Sequence, residues 1–266
     1  MKSGVKKLPA PVFNAASPQV GETSSVDPAE IAKFTSLAAE WWDPNGKFRP
    51  LHRFNPVRLK FIRALAVEHF AREDGGLRPF NGLTLLDIGC GGGLLSEPMA
   101  RMGFTVLGAD ASTKNIAAAA AHAASVGLLL DYRAVTAEAL AAEGASFDLI
   151  LNMEVVEHVA DLAGFLKSCG TMVKPGGLML VATLNRTLKS LAMAKFGAEY
   201  VLRWLPAGTH DWNRFVRPSD LRRLLVDAGL NVTKIQGITF DPLRWDWRLS
   251  PDTDVNYLMV AQKPSN

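Results

Sequence analysis

Residues 83 to 93 read LTLLDIGCGGG, a short apolar run that passes directly into five residues of which four are glycine. A strand that leads into a glycine-rich turn and then a helix is a common binding arrangement for nucleotide-like ligands. Glycine has no Cβ, so the backbone of the turn can lie directly against the ligand. We therefore predict an α/β fold whose ligand lies against Gly91 and Gly93, at the carboxyl end of this strand.

Four further apolar runs follow this stretch at intervals of about 20 to 30 residues. They are FTVLGAD, LLLDYRAV, FDLILNM and GGLMLVATLN. Predicted helices separate the runs at about 94–102, 113–125, 136–142 and 160–172, and KPGG at 174–177 predicts a turn before the fifth strand. Near-continuous apolar strands that alternate with helices are typical of a parallel sheet covered on both faces.

The N-terminal part of the chain precedes this pattern. Residues 1–27 mix proline, serine, glycine and lysine without apolar periodicity, which predicts a flexible tail. Asp27 followed by Pro28 predicts the start of a helix. We expect N-terminal helices within residues 28–72, the second of them running from Pro56 to about Phe70.

The C-terminal part predicts completion of the sheet. A long connection at 186–217 is followed by a predicted helix at 218–228. NVTKIQGITF and VNYLMVAQK then predict two closing strands, which gives a mostly parallel sheet of seven strands with helices on both faces. We accordingly predict a tail at 1–27 and a single domain at 28–266 with one insertion at 186–217.

The composition excludes several classes of protein. The chain has 266 residues, 48% of them apolar and 21% charged, and such a chain can bury a large core. Three lysines lie in the acid-free first twenty residues, and the remainder is balanced at 26 basic against 26 acidic residues, which argues against nucleic acid as a partner. Cys90 and Cys169 are too few for a disulfide scaffold. The longest uncharged run, 115–130, is shorter than the ~20 residues of a bilayer span.

An acidic residue supports the ligand site. Asp110 ends the second predicted strand, 21 residues after Gly89, where a carboxylate can accept hydrogen bonds from both hydroxyls of a ribose. A dinucleotide fingerprint that starts at Gly89 needs a third glycine at the position of Leu94, which argues against an oxidoreductase. The observed spacing, with Asp87 before it, resembles motif I of class I S-adenosylmethionine-dependent methyltransferases. The alternative is a glycine turn that only packs a helix on a strand.

A second cluster follows the fourth predicted strand, where residues 152 to 158 read NMEVVEH. On a helix, Glu154, Glu157 and His158 would share one face, because they are three and four residues apart. Two carboxylates and an imidazole suit Mg²⁺ or Mn²⁺. Zinc fits less well, because the cluster has no thiolate. The alternative is a solvated turn with Glu157 and His158 at the surface.

Six segments together resemble the ubiquinone-biosynthesis O-methyltransferase family. They are FTSLAAEWWDPNGKFRPLHRFNPVRL, LLDIGCGGGLLSEPMA, LNMEVVEHV, LVATLNRT, GAEYVLRWLPAGTHDWNRF and DTDVNY, and the resemblance spans almost all of residues 30 to 260. It implies a class I methyltransferase fold, S-adenosylmethionine as cofactor, and methylation of ring hydroxyls on polyprenylated phenol and catechol intermediates.

The resemblance also implies roles for single residues. Arg58 would contact the cofactor carboxylate, Gly89 would line the loop, Asp110 would hold the ribose and Met153 would border the adenine. For Arg58 and Met153 the resemblance is the sole basis. Without the resemblance, Arg58 would be interpreted as an exposed helix residue and Met153 as a core residue at the end of a strand.

Methyl transfer to a phenol oxygen requires the oxygen to be largely ionised, and an unperturbed phenol has a pKa near ~10. A divalent ion on Glu154, Glu157 and His158 would act as a Lewis acid. Without a metal, His158 is the candidate general base, because an ordinary histidine pKa lies near the operating pH. An N- or C-methyltransferase, and a non-catalytic cofactor-binding module of a quinone-biosynthesis complex, are the alternatives. Methyl turnover on a demethylated quinol distinguishes them.

The insertion predicts where the protein works. From residue 186 to residue 223 the chain carries eight Lys and Arg against three acids. Within it, residues 187–205 are apolar over most of a predicted helix surface, more than one buried side requires. An apolar helix flanked by basic residues suits an anionic membrane surface. We expect a cytoplasmic protein that contacts the inner face of the membrane peripherally. A lid over the cofactor is the alternative.

Overall fold

Five parallel strands form the centre of the structure, a computed structural model that describes residues 25–73, 75–192, 212–244 and 246–265. They are β1 (Thr84–Ile88), β2 (Thr105–Asp110), β3 (Asp131–Ala134), β4 (Phe147–Met153) and β5 (Val173–Leu184), in the order β3-β2-β1-β4-β5 across the sheet. Strand β1 is central, so Asp87 pairs with Gly108 on one side and with Leu151 on the other. The carboxyl ends of the strands therefore meet at one edge, next to the predicted ligand residues.

Three antiparallel strands complete the sheet: β6 (Asn231–Asp241), β7 (Asp246–Ser250) and β8 (Asn256–Gln262), in the order β5-β8-β6-β7. The described residues thus form eight strands where the sequence predicted seven, and β7 is the additional one. The side chain of Asp241 explains the additional strand. The Asp241 carboxylate accepts the N–H groups of Leu243 at 3.0 Å and Arg244 at 3.3 Å, which reverses the chain after β6 and lets β7 pair with it.

Eight α-helices surround the sheet in the described residues. They are α1 (Pro28–Ser36), α2 (Arg49–His69), α3 (Ser96–Arg101), α4 (Thr113–Ser125), α5 (Ala137–Ala142), α6 (Leu162–Met172), α7 (Leu188–Ala192) and α8 (Pro218–Asp227). Helix α4 has the predicted bounds. Helix α2 begins earlier than predicted, because Pro50 occupies its first turn, where a missing N–H costs little, and Pro56 lies inside it. The turn predicted at 174–177 is instead part of β5.

The alternation of side chains along β1 divides the core between the two faces of the sheet. Leu85 lies in a core with Phe61 and Ile62 of α2, whereas Leu86 lies in a core with Leu166 of α6. Both leucines are fully buried. The helices therefore cover both faces, as the apolar strands predicted.

The segment before α2 packs over the carboxyl edge of the parallel strands, and we call residues 25–48 the N-terminal cap. Val26 forms an isolated antiparallel bridge with Val159, and the Thr35 and Ser112 hydroxyls are 2.6 Å apart. Residues 25–27 are thus part of the folded body rather than of the predicted tail. The rest of that predicted tail, residues 1–24, lies outside the described residues.

The predicted insertion at 186–217 is described only in part. It contains α7 and a short 3₁₀ helix, Trp212–Arg214. Residues 193–211, which hold most of the predicted membrane helix, lie outside the described residues. Within the described ranges, no helix combines the length and the apolar character needed to cross a membrane.

Candidate active site

The turn after β1 needs glycine at three positions. Gly89, Gly91 and Gly93 have φ values of +69°, +54° and +85°, a region that other L-residues enter only with strain. Space is also limited, because a Cβ at Gly89 would overlap the side chain of Val155 and one at Gly91 would overlap the ring of Trp41. The loop is a close-packed backbone surface at the edge of the sheet.

Asp110 lies beside this loop. Its carboxylate accepts the Gly91 N–H at 3.0 Å, the Ser112 N–H at 2.8 Å and an amide N–H of Asn115 at 3.2 Å. Burial raises the pKa of Asp110, and the three hydrogen bonds oppose the increase. An ionised carboxylate has about four acceptor positions. Asp110 therefore holds the loop in place and keeps acceptor capacity for a ligand hydroxyl.

Asp87, which precedes the loop, has a structural role that the sequence did not reveal. The Ser96 hydroxyl donates a hydrogen bond of 2.5 Å to its carboxylate and so ties the start of α3 to the end of β1. Burial raises the pKa of Asp87 to about 7. A buried carboxyl group of this kind is half protonated near neutral pH.

A cavity of about 690 Å³ runs along this edge of the sheet, within the range of small-molecule sites. The predicted residues that line it are Arg58, Gly89, Gly91, Asp110, Met153, Glu154 and His158. Two predicted residues are absent from its described lining. Gly93 packs against the hydroxyl of Tyr132, so the structure does not place it beside the cavity where we expected the ligand. Glu157 points into the core.

The segment after β4 is not the predicted helical turn. Glu154 has φ +58°, and its N–H continues the sheet by donating to Ala182 at 2.9 Å. The chain then turns, and the His158 N–H donates to the carbonyl of Val155 at 2.8 Å. Because the segment is not helical, the three predicted metal ligands do not share a helix face: the Glu154 and Glu157 carboxyl groups contact each other, whereas His158 contacts Glu30.

Arg58 of α2 is buried, with 2% of its surface exposed, so it is not the ordinary exposed helix residue that the alternative required. Its guanidinium forms an ion pair with Glu154 and lies 3.8 Å from the centre of the Phe54 ring. Burial lowers the pKa of Arg58, and the Glu154 and Glu157 carboxylates oppose the decrease. Its buried Nε has no hydrogen-bond partner among the described residues. That donor fits the carboxylate of the expected cofactor.

Glu157 is also buried rather than at the surface. It is 3% exposed, and its carboxyl group accepts a hydrogen bond of 2.8 Å from the Thr183 hydroxyl. Burial and the neighbouring Glu154 carboxylate raise the pKa of Glu157 well above its usual range. Glu157 is therefore a buried polar group beneath the cavity rather than part of its lining.

His158 is oriented by a residue that the sequence did not indicate. Its Nδ1 lies 2.9 Å from a carboxylate oxygen of Glu30, on α1, and Phe34 contacts the ring edge-on at 5.0 Å between centroids. Burial lowers the pKa of His158 to about 4, and the charges of Lys33 and Arg214 lower it further. The expectation of a pKa near operating pH is therefore wrong. The neutral ring donates from Nδ1 to Glu30, and Nε2 carries the basic lone pair.

Besides the contact between Glu154 and Glu157, each predicted metal ligand has a partner of its own. Glu154 pairs with Arg58, Glu157 with Thr183, and His158 with Glu30. No group of three His, Cys, Asp or Glu side chains in the described ranges is arranged to hold a metal ion. These donors do not fit a divalent cation in this arrangement, because each would first have to leave its present partner.

Two adjacent tryptophans of the cap fix it to the glycine loop. Trp42 donates from Nε1 to the carbonyl of Gly92 at 2.8 Å, and its ring stacks on His122 at 3.4 Å between centroids. His122 in turn lies 2.7 Å from the buried carboxylate of Glu97. Trp41 donates to Asn115 at 3.1 Å. The sequence offered no signal for these contacts beyond the tryptophan pair itself.

Comparison with known proteins places this geometry in context. Residues 53–235 match a family described as "Methyltransferase domain". The chain is 59% identical over 241 residues to a protein named ubiquinone biosynthesis O-methyltransferase from Sinorhizobium medicae, covering 91% of this chain and 97% of the relative. It is 60% identical over 240 residues to a protein of the same name from Caulobacter sp. strain K31, covering 90% and 95% of the two chains.

Solved structures show the same fold at lower identity. Magnesium protoporphyrin IX methyltransferase from Synechocystis PCC 6803, with bound SAH, has a TM-score of 0.60 and 20% identity, covering 87% of this chain and 94% of that chain. An S-adenosylmethionine-dependent methyltransferase from Clostridium acetobutylicum has a TM-score of 0.59 and 14% identity, covering 88% and 99%. The predicted fold class is thus confirmed.

Proposed function

Because this chain belongs to the ubiquinone biosynthesis O-methyltransferase family, we propose that its cavity methylates a ring hydroxyl of a polyprenylated phenol or quinol. The family makes the chain an S-adenosylmethionine-dependent O-methyltransferase of ubiquinone biosynthesis. The roles of individual residues and the form of the substrate are the proposal. The observation that carries it is that one cavity joins the glycine loop and Asp110 to His158.

The cofactor half of the cavity has donors and acceptors that match S-adenosylmethionine. Asp110 holds the ribose hydroxyls, Arg58 holds the carboxylate through its buried Nε, and Met153 borders the adenine. Gly89 and Gly91 let the backbone lie against the cofactor. When bound, the cofactor supplies an electrophilic methyl group on a sulfonium. The chain supplies orientation and a closed surface that keeps water from the methyl group.

His158 and Glu30 form the proposed base. Nε2 accepts the phenol proton, while Glu30 holds Nδ1–H and stabilises the imidazolium that forms. Burial lowers the pKa of His158, which favours the neutral ring. It also makes the ring a weak base, so the Glu30 carboxylate is needed to compensate.

A methyl-transfer assay tests the activity and the base together. Wild-type protein should transfer methyl from S-adenosylmethionine to a 3-demethylubiquinol or to a 2-polyprenyl-6-hydroxyphenol. We expect His158→Gln to lower kcat by roughly 10²- to 10⁴-fold, the usual contribution of a general base, and Glu30→Gln to lower it less. His69→Gln, at the far end of α2 and outside the described cavity lining, is the control. A full kcat for His158→Gln would remove it as the base, and methylation of amine or carbon substrates alone would favour the N- or C-methyltransferase.

The role of a metal stays a prediction. Binding at Glu154, Glu157 and His158 needs a rearrangement in which these side chains leave Arg58, Thr183 and Glu30. Turnover in EDTA, followed by addition of Mg²⁺ or Mn²⁺, tests it. Loss and recovery would support a cation site, whereas full activity of metal-free protein would exclude it.

Contact with the membrane also stays a prediction. Leu188, at the start of the insertion, is 79% exposed, which is consistent with an apolar contact, but most of 187–205 lies outside the described residues. We propose that this segment binds peripherally and salt-sensitively to anionic liposomes. At the membrane, the protein would work beside a quinone-biosynthesis complex. Flotation with wild type and a Leu202→Glu/Trp204→Glu variant tests the binding. Equal flotation of both, or none of the wild type, would leave the segment as a lid.

A further inference from the structure

The cavity continues beyond Arg58 to a part of the sheet that neither cofactor nor proton transfer uses. Its lining there comes from the last residues of β5 and β6, from the beginning of β7 and β8, from α7 and from the first half of α2. The lining residues of this part are Phe54, Leu184, Ser190, Phe240, Trp247, Val255 and Asn256. None of these side chains is charged. This part of the cavity therefore suits an apolar group rather than a second polar ligand.

Three aromatic rings form its wall. Phe54 and Trp247 lie 4.6 Å apart between ring centroids, and Trp247 and Phe240 lie 5.5 Å apart. The guanidinium of Arg58 also lies over the Phe54 ring, 3.8 Å from its centre. Aromatic pairs at these distances are held by packing and by favourable ring geometry. The wall therefore begins at the ion pair of the reaction site and leads away from it.

The direction of the wall follows from the topology. Strand β6 is parallel to β5, because both are antiparallel to β8, so β6 ends at the same edge as the reaction site. The β6–β7 hairpin then carries the wall outward from Phe240 and Trp247. Beyond them, in the turn, the side chain of Leu243 is 97% exposed. Apolar side chains thus mark a path from the reaction site to the surface.

We propose that Phe54, Phe240 and Trp247 form a subsite for the first isoprene units of the substrate tail, which leaves the protein along the β6–β7 hairpin. The inference rests on the proposed function, because the tail belongs to that substrate class. A cavity of about 690 Å³ that also holds the cofactor and a ring leaves no space for a long polyprenyl chain. The polyprenyl tail must therefore leave the cavity. The aromatic wall is an uncharged side of the cavity that leads towards the surface.

The adenine of the cofactor is the competing occupant, because adenine also stacks on aromatic rings. The predicted adenine neighbour, Met153, and the ribose acceptor, Asp110, end β4 and β2. The aromatic wall lies on the other side of β5, next to β8, β6 and β7. A tail therefore fits the wall better than adenine, and cofactor affinity distinguishes the two.

The experiment compares two substrates on the same protein: a demethylated ubiquinol with a tail of two isoprene units, and the same ring with a methyl group in place of the tail. We expect the wild type to have the higher kcat/KM on the tailed ring. In Trp247→Ala and in Phe240→Ala, the ratio of kcat/KM between the two rings should fall roughly tenfold, which is the loss expected for part of one apolar contact. The change should appear mainly in KM for the tailed ring.

Phe70→Ala is the matched control, because Phe70 is a half-buried aromatic residue at the other end of α2 and does not line the cavity. It should leave the ratio at the wild-type value. Phe240→Leu, which keeps an apolar side chain, should lower the ratio less than Phe240→Ala and replaces it if that variant does not fold. Equal losses on both rings would overturn the subsite. So would a weaker affinity for S-adenosylmethionine in Trp247→Ala than in Phe70→Ala, because that result would assign the wall to the adenine.

If the protein methylates neither ring, the proposed function fails, and the subsite needs a test that does not depend on turnover. If neither ring is methylated, calorimetric binding of the tailed and tail-less rings to protein saturated with S-adenosylhomocysteine replaces turnover. Tighter binding of the tailed ring, lost in Trp247→Ala, would support the subsite without the reaction. Equal binding of the two rings would overturn it.

Discussion

The glycine loop at residues 89–93 and the turn at residues 154–158 follow adjacent strands and border the same cavity, but they are held in different ways. The loop is held mainly by its backbone, since the N–H groups of Gly89 and Cys90 donate to the carbonyl of Ala109 at 2.7 and 3.0 Å. The turn is held by ionisable side chains, among them Glu154 and His158. The loop should therefore respond to added volume and the turn to lost charge.

Removal of Arg58 should have the largest effect on the turn. Arg58→Ala leaves Glu154 without its buried partner, and breaking a buried ion pair in this way costs about 3 to 5 kcal/mol. Urea unfolding measures the change, with Lys60→Ala as the control, because Lys60 is exposed on the same helix. Equal free energies of unfolding for the two variants would mean that Glu154 does not depend on this pair.

Added volume should have the next largest effect, and on the loop. Gly89→Ala combines a positive φ with overlap of Val155, so we expect a loss of about 2 to 5 kcal/mol from strain and overpacking together. Gly144→Ala separates the two causes, because Gly144 has φ +74° and open space around it. It should lose only about 1 to 2 kcal/mol. Equal losses in urea unfolding would show that the loop has room to adjust.

His158 in the turn and Asp87, which precedes the loop, should also differ in the sign of their pH dependence. His158 has a pKa of about 4 in the folded protein against 6.5 for the free side chain, so its contribution is present above pH 6.5 and is lost as the pH falls towards 4. Asp87 has a pKa raised from 3.8 to about 7, so its contribution is present below 3.8 and is lost as the pH rises through 7. Each shift corresponds to roughly 3 to 4 kcal/mol over its full range.

Unfolding measured between pH 4 and pH 8 checks this difference. His158→Gln should make the protein less sensitive to acid, and Asp87→Asn should make it less sensitive to base. The double variant should have the flattest profile. Profiles that shift in the same direction for both single variants would contradict the assignment of opposite signs.

The smallest of the expected effects concerns the cofactor. Asp110→Ala should weaken S-adenosylmethionine binding by about 1 to 3 kcal/mol, the cost of losing hydrogen bonds to a charged acceptor. Calorimetry measures the affinity, and Asp131→Ala, an exposed acid at the start of β3, is the control. Unchanged affinity in a folded Asp110→Ala variant would remove Asp110 from the cofactor site.

The sequence predicted the loop better than the turn, for a physical reason. The strand before Gly89, the glycine spacing and the distance to Asp110 are local properties of one β-α-β unit, so the pattern alone places them together. The turn depends on contacts across the chain, since Arg58 lies 96 residues from Glu154 and Glu30 lies 128 residues from His158. Helical spacing gave the wrong geometry here, because it carried no information on these partners.

Contacts that no local sequence pattern reveals also explain why other features of the structure were not predicted. Strand β7 depends on a single carboxylate, Asp241, that caps a turn, and no apolar period marks it. The contact of Trp42 with His122 joins residues from two helical regions separated by the whole first β-α unit. The start of α4, by contrast, follows from a residue next to it in the sequence, since the Ser112 side chain accepts the Asn115 N–H and so begins the helix.

The stack of Trp42 on His122 gives the protein an optical signal for the position of its cap. Indole emission depends on the groups that contact the ring, so the emission of Trp42 should differ between a ring that touches His122 and one that does not. If the cap leaves Gly92 when the cofactor enters or the product departs, the rings separate and the emission changes. We expect rapid mixing with S-adenosylmethionine to give a fluorescence transient that Trp42→Phe abolishes. An identical transient in that variant would assign the signal to another tryptophan.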